Sequence, residues 1–496
     1  MRPAHLVPAA LALAALGALA GAARLGQPAA TGTNPGVTVA RPVNAAVRAC
    51  PPAPGGGQAV VALIAAAREA AGTPGAPAHS GLAELTALSP AGVASRALRP
   101  VRSQDAGVLS LLTVPAGASA GNRGGPVPVA WSVTAGGTMA QAMEAEVADG
   151  SGLAGVRCGE PGSDLWFLGP GQRSGAARIQ LDLMNVDSAA ASVDAGVITD
   201  AGQVQAGDLD GITVPPHQTV TESLSPASAG SSVVAIEVRT SAGRVAADVS
   251  ESSSPGGPAS WLPRAAPPST QLVIPGVPPS GRGAGLYLAV PGSSSARVDV
   301  LAITAQGRYR PFGSQPVELP GQSASYVALT SFGGAAAALQ ITSNVPVAAA
   351  AGAPGSGAGA FTAAAPPILE QAVVAGNTTG SGLAASVALS APAAAARVRL
   401  TEIAQAGRNG AVATSRQAVL VRAGRTLAVP VTGPPGAAPG SAFAVVISPL
   451  AGSGPVYAAR VETRGQPAVL SVLPAVSALT TLSLPPVRDS YDAISP

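Results

Sequence analysis

Apolar and polar residues alternate along most of this chain in short runs that stop at Pro or Gly. Leu112-Thr-Val-Pro-Ala-Gly is one such run, and it returns as Ile212-Thr-Val-Pro-Pro-His, Val317-Glu-Leu-Pro-Gly-Gln and Val419-Leu-Val-Arg-Ala-Gly, at steps of 100, 105 and 102 residues. A period of two describes a half-buried strand, and a phrase repeated at near-constant spacing describes one structural unit built several times. The pattern therefore predicts four related β units. A second repeated phrase joins their strands: Thr199-Asp-Ala-Gly202, Thr304-Ala-Gln-Gly307 and Ala404-Gln-Ala-Gly407, whose last glycine suits a hairpin turn needing positive φ.

Each unit reads as five or six strands in about 100 residues, too long for a propeller blade of four strands in about 40–50. The predicted fold is all-β: tandem antiparallel β-sandwich-like repeats, with a ring of large propeller-like blades as the alternative. The units span 37–158, 159–262, 263–365 and 366–486, followed by a tail over 487–496. In the first, Ala59-Val-Val-Ala-Leu-Ile leads into an Ala/Glu/Arg stretch that fits a strand continuing into a short helix, and Val108 to Val114 supplies the repeated strand. Leu482-Ser-Leu-Pro-Pro resembles a fifth opening strand. It has two natural uses: completing the sheet of the fourth unit, or pairing with Val37-Thr-Val-Ala and fastening the two ends of the chain together.

Residues 1–24 have a different character. Arg2 and His5 precede an uncharged apolar run from Leu6 to Ala23, closed by Arg24, with small-residue sites at its end. This is the order of a signal peptide, and the run is also long enough for an uncleaved membrane anchor. Either use places the rest of the chain outside the cytoplasm, secreted or held by membrane contact through the N-terminal segment alone. Residues 25–36 are a Gly/Pro/Thr-rich linker. The two cysteines, Cys50 and Cys158, bracket the first unit, and in an exported chain they form one disulfide.

Composition narrows the chemistry. Aromatic residues are 3% of the 496-residue chain although hydrophobic residues are 47% and mean hydropathy is +0.36, so the cores are thin layers of Val, Leu, Ile and Ala. All 28 basic residues are arginine. Without lysine there is no Walker A phosphate loop, no pyridoxal Schiff base and no Ser-x-x-Lys acyl transfer. A net charge of +3 with scattered arginines gives no basic stripe for nucleic acid. No cofactor and no metal are implied.

Candidate reactive groups are few. Gly117-Ala-Ser119-Ala-Gly121 matches the nucleophile pattern Gly-x-Ser-x-Gly, but a loop follows where the chemistry requires a helix. His79 and His217 are the only histidines past the export segment, and His217 occupies the turn of the repeated phrase. Asp200, Asp208 and Asp210 make half of a calcium loop and read as solvated turn residues. Five aromatics, Tyr287, Tyr309, Phe312, Tyr326 and Phe332, gather in the third unit, where they form either its core or a possible binding surface for sugars or peptides. Trp166 and Trp261 flank the second unit and read as core.

The order of these elements carries a resemblance: an export segment, Cys50-Pro51, a second cysteine before Asp164-Leu-Trp-Phe-Leu-Gly, then Gly211-Ile-Thr-Val-Pro-Pro, Gly243-Arg-Val-Ala-Ala and Leu272-Val-Ile-Pro-Gly. It resembles an uncharacterised family of actinobacterial secreted or membrane-anchored proteins of unknown function. The resemblance implies an envelope location and brings no catalytic residues. The expectation is an exported, non-enzymatic β-repeat protein acting as a scaffold or interaction module for an envelope protein or glycan. The alternative is an envelope glycan-binding or glycan-processing protein.

Overall fold

The computed structural model of the chain describes residues 39–52, 58–63, 81–91, 101–103, 110–115, 130–148, 155–173, 178–252, 259–278, 284–311, 315–329, 337–353, 359–378, 382–406, 411–437, 442–465 and 469–484. Nearly all of them are strand or turn; the helical turns among them are two short 3-10 segments, Gly137–Ala142 and Gly207–Leu209. Contacts divide the chain into two compact units. The smaller contains an antiparallel ladder of β1 (Val39–Pro42) with the C-terminal strand Thr481–Leu484, in register from Val39↔Leu484 to Pro42↔Thr481. Of the two uses open to the C-terminal strand, pairing with the N-terminal one is the one observed. These strands belong to neither the first nor the fourth sandwich.

The larger unit, Val43–Thr480, holds four sandwiches. The first contains β2 (Ala45–Cys50), β3 (Gln58–Leu63), β4 (Gly81–Pro90), β5 (Val101–Ser103), β6 (Ser110–Pro115), β7 (Ala130–Gly136), β8 (Met143–Ala148) and β9 (Gly155–Arg157). The second contains β10 (Asp164–Pro170), β11 (Arg178–Met184), β12 (Ala191–Thr199), β13 (Gly202–Val204), β14 (Ile212–Val214), β15 (Gln218–Ser223), β16 (Val233–Ala242), β17 (Ala246–Ser252) and β18 (Ala259–Leu262). The third contains β19 (Ser269–Val277), β20 (Ala284–Val290), β21 (Ala296–Ile303), β22 (Arg308–Tyr309), β23 (Val317–Leu319), β24 (Ser323–Leu329), β25 (Ala337–Ala353) and β26 (Ala360–Ala363). The fourth contains β27 (Gln371–Asn377), β28 (Leu383–Ala391), β29 (Ala396–Ala406), β30 (Ala411–Val421), β31 (Arg425–Val431), β32 (Phe443–Pro449), β33 (Tyr457–Arg464), β34 (Val469–Ala475) and β35 (Ser477–Ala478).

One topology is used four times. In one layer the opening strand pairs with the fifth main strand, which pairs with the third: β2-β7-β4, β10-β16-β12, β19-β25-β21 and β27-β32-β29. In the other layer the orders are β6-β3-β8-β9, β15-β11-β17-β18, β24-β20-β25-β26 and β31-β28-β33-β34. The third copy runs its two middle strands together as the 17-residue β25, which pairs with β21 through Ala338–Ser343, with β19 through Ala337–Thr342 and again at Val347, and with β20 and β26 through Ala348–Ala353. Two layers per unit make these sandwiches and not single-sheet blades. Alternation does the folding: β12 buries every second residue from Ala191 to Val197, because successive side chains on a strand point to opposite faces.

The repeated phrase is structurally equivalent in three copies. Val214 lies opposite Ala191, Leu319 opposite Ala296 and Val421 opposite Ala396. Each is followed by a turn whose third residue has positive φ: His217 (54°), Gln322 (54°) and Gly424 (69°). The first copy departs from expectation, since Leu112 lies on β6, which pairs with β3 in the opposite layer. The strand that pairs with the start of β4, as β14 does with β12, is β5. An apolar residue at every second position fits any half-buried strand, so the phrase marks a strand type and the spacing alone misplaces it by one strand. The Thr-x-x-Gly turns form as expected, with Thr199 Oγ1 donating to Gly202 O and Thr304 Oγ1 to Gly307 O at 3.1 Å each, and φ of 113° and 143° at the glycines. Gly407 lies outside the described residues.

Within Val43–Thr480 each sandwich packs on the next, and the fourth packs on the first. Parallel pairing of β15 with β4 and a cluster of Ala49, Leu88, Ala130, Met184 and Ala246 join the first and second. Tyr287 and Phe361 enter the core of the second from the third. Ala360, Ala388, Ala459, Val461 and Val472 join the third and fourth. The fourth meets the first through charged groups.

Candidate functional site

Cys50 ends β2 and Cys158 follows β9, so the disulfide between them closes the two layers of the first sandwich on each other. Both cysteines are fully buried, and Trp261 of the second sandwich packs into the same cluster.

Beside it lies a buried ionic cluster that begins on β8. Met143, Ala145 and Val147 fill the first sandwich, so Glu144 and Glu146 point to its outer face, yet each is only 2% exposed. Burial of a carboxylate requires a partner. Arg157 supplies a two-pronged pair to Glu144, with Nε donating to Oε1 at 2.6 Å. Arg460, on β33 of the fourth sandwich and 1% exposed, holds Glu146 through both terminal nitrogens, one at 2.9 Å. Its Nη1 also donates to Gly376 O at 3.1 Å, while Gly376 N donates back to Glu146 at 3.0 Å. A Cβ on Gly376 would stand 3.1 Å from Glu146 Oε2, so a larger residue here would require the carboxylate to give way slightly. Glu462 lies 3.5 Å from Arg460 Nε, and burial, outweighing that cation, raises its carboxyl to about 7.

A cavity of about 220 Å³ opens where the four sandwiches meet. Its walls are largely apolar, from Val156, Ala247, Ala265, Ala365 and Leu473 among others, and charged and polar residues interrupt them. Arg48, 5% exposed, donates to Val47 O at 3.0 Å and reaches Glu160 at 2.6 Å, leaving its Nε without a partner. Arg264 donates to the backbone oxygen of Glu160 at 3.2 Å. The indole Nε1 of Trp261 is buried and unpartnered, as is Oδ2 of Asp248. Asp248 and Asp182 stand opposite each other on β17 and β11, on the outer face of the second sandwich. Burial, with the neighbouring Asp182 charge, pushes Asp248 well above the usual carboxylate range. Burial raises Asp182 to about 6 against the hydrogen bond it accepts from Thr221 Oγ1 at 2.7 Å.

Residues 130–478 match the family of unknown function DUF5719. The chain belongs to this family. Among curated proteins, no relative matches. The DUF5719 match begins at β7, so it takes in Cys158, the ionic cluster, Asp248, Trp261 and Arg264, while Cys50 and Arg48 lie before it.

Within this family member the residues expected to form a site are scattered. Tyr287 is 1% exposed, its ring 5.4 Å from Tyr326 and 6.3 Å from Phe361. It packs into the shared core of the second and third sandwiches, where the second sandwich covers it. Tyr326 is half-buried beside it, and Tyr309 is exposed on β22. Phe312 and Phe332 lie outside the described residues, as do His79 and the Gly117–Gly121 phrase. Trp166 is core. His217 sits in its turn. Asp200 accepts from Ser232 N at 3.0 Å, and among the described residues no cluster of acids, His or Cys is placed to hold a metal.

The groups that do converge, Arg48, Glu144, Glu146, Asp248, Arg264 and Arg460, escaped sequence reading. Met-Glu-Ala-Glu-Val-Ala on β8 has the alternation of a strand with one wet face; only the contact with the fourth sandwich makes that face dry.

Proposed function

We propose that this chain is exported and works in an actinobacterial envelope as a non-enzymatic scaffold or interaction module. The observation that carries this reading is the Cys50–Cys158 disulfide, buried beside the junction of the first two sandwiches. A structural disulfide belongs to an oxidising compartment. The rest of the larger unit is consistent with a rigid frame: its most buried ion pair, Arg460 with Glu146, joins the fourth sandwich to the first. The apolar run of residues 1–24 is the export signal or anchor. Among the described residues, no helix is long and apolar enough to cross a membrane.

Fractionation of the native organism, with non-reducing peptide mapping, tests the location. The protein is expected in the envelope or medium with the Cys50–Cys158 peptide pair intact; a reduced cytoplasmic protein overturns the reading. Cys158→Ser is expected to lower stability by about 4–5 kcal/mol, because the bridge closes a loop of 108 residues. Recovery of an envelope protein or glycan bound without being altered supports the scaffold role, and turnover of that molecule by the purified chain refutes it.

A further inference from the structure

Beyond the scaffold reading, the cavity at the meeting point of the four sandwiches has the makings of a ligand site. Three arginines are among its lining residues. Arg157 is neutralised by Glu144 and Arg48 by Glu160, which leaves Arg264, at the mouth, with a backbone carbonyl and no carboxylate in ion-pair range among the described residues. Two further N–H donors on lining residues at least nine-tenths buried, Trp261 Nε1 and Arg48 Nε, have no protein acceptor. Leaving buried donors unmade is costly, and native structures pair nearly all of them. Apart from Glu160 and Asp248, the remaining lining residues are alanine, proline, glycine, valine, leucine and Cys158. Unspent donors on residues lining a largely apolar hollow suit a ligand with a negative head and an apolar body.

We propose that this cavity binds a small organic acid, its carboxylate taken by the Arg264 guanidinium with the Trp261 indole N–H, and its apolar body lodged between Ala265, Ala365 and Leu473. Two acids line the cavity: Glu160, which is paired with Arg48 at 2.6 Å, and Asp248. Burial beside Asp182 pushes the Asp248 carboxyl well above the usual carboxylate range, which disfavours a negative charge there. A charged Asp248 would instead favour an organic cation stacked on Trp261, and the test separates the two.

Benzoate, benzyl alcohol and benzylamine share one ring and differ in head-group charge. Titration of each into the intact exported chain, read by calorimetry and by ligand line-broadening, is expected to show saturable binding of benzoate, with the alcohol and the amine at least about 10-fold weaker. Arg264→Gln lies at the exposed mouth and is expected to weaken benzoate by about 10-fold or more while leaving the thermal midpoint unchanged. Trp261→Phe keeps the ring, removes the donor and is expected to lose several-fold. No saturable benzoate binding, equal or tighter binding of the alcohol or the amine, or wild-type affinity in a folded Arg264→Gln protein overturns the proposal.

Discussion

Strand β33 carries two junctions of opposite chemistry. On one face Ala459 and Val461 meet Ala360 and Val472 in the apolar contact between the third and fourth sandwiches. On the other, Arg460 and Glu462 lie on the side of Ala458 and Val387, toward the core of the fourth sandwich, and Arg460 reaches Glu146 of the first. The apolar junction works by close approach. Gly276, next to last in the opening strand of the third sandwich, has φ of 67°, and a Cβ there would lie 2.4 Å from the Cβ of Ala459. The ionic junction works by direction, since a guanidinium accepts one partner geometry and penalises others. Small apolar residues tolerate their neighbours; a buried charge requires a particular one.

The sharpest way to break this contrast is to remove one member of the ionic junction. Arg460→Met leaves Glu146 buried without its cation and is expected to cost about 3–5 kcal/mol. Glu146→Leu combined with Arg460→Met removes both charges and is expected to recover most of that loss, because two apolar groups no longer need water or each other. Denaturant midpoints of the two variants and of Glu146→Leu alone complete the cycle. If the double variant is as damaged as the single, the junction is held by shape and not by charge pairing.

The apolar junction should yield to bulk and not to charge. Gly276→Ala adds one methyl at a left-handed position, facing Ala459, and is expected to cost about 2–3 kcal/mol. Gly376→Ala, at the ionic junction, faces the movable end of Glu146 and has no positive φ, so about 1 kcal/mol is expected. Equal losses at the two glycines would mean that close backbone approach governs both junctions.

How much of this was readable beforehand follows the same division. The strands, their turns, the fold class and the disulfide follow from period-two alternation, from Thr-x-x-Gly turns and from a pair of cysteines, all of which are local signals. Placement of the Leu112 phrase failed because a local pattern does not say which partner strand will take it. The ionic cluster and the cavity failed for a related reason. Glu144 and Glu146 look solvated on β8 alone, Arg460 looks like one scattered arginine, and Asp248 sits in a strand whose outer face reads as wet. Their burial is produced by residues of other sandwiches, Arg460 lying 314 positions from Glu146. The five aromatics of the third unit were ambiguous from the start, and Tyr287 resolves to core because the second sandwich covers it.

The effect that separates the junctions without changing their packing is in their response to pH. At the ionic junction one cation, Arg460, stands between Glu146 and Glu462, with Arg464 nearby and the Thr378 N–H on Glu462. Burial holds Glu462 protonated to about 7, whereas the unfolded chain releases that proton near 4.5. The native state therefore binds the extra proton across this window, and its stability falls as pH rises from about 4.5 to 7 and is level above. Glu462→Gln is expected to remove a fall on the order of 2 kcal/mol from that window, read as the difference between variant and wild-type denaturation midpoints at pH 5 and pH 8. Asp182→Asn, at the junction of the first two sandwiches, is expected to remove a smaller fall between about pH 4 and 6, since its carboxyl is raised only to about 6. Asp187, lowered by its pair with Arg244, has the opposite sign and cancels in each difference. Among the described residues the apolar cluster of the third and fourth sandwiches consists of Ala360, Ala388, Ala459, Val461 and Val472, so Val461→Ala there should shift stability by the same amount at both pH values. A Glu462→Gln profile parallel to wild type would show that this carboxyl is already ionised in the fold, and that Arg460 is shared between two charges and not committed to one.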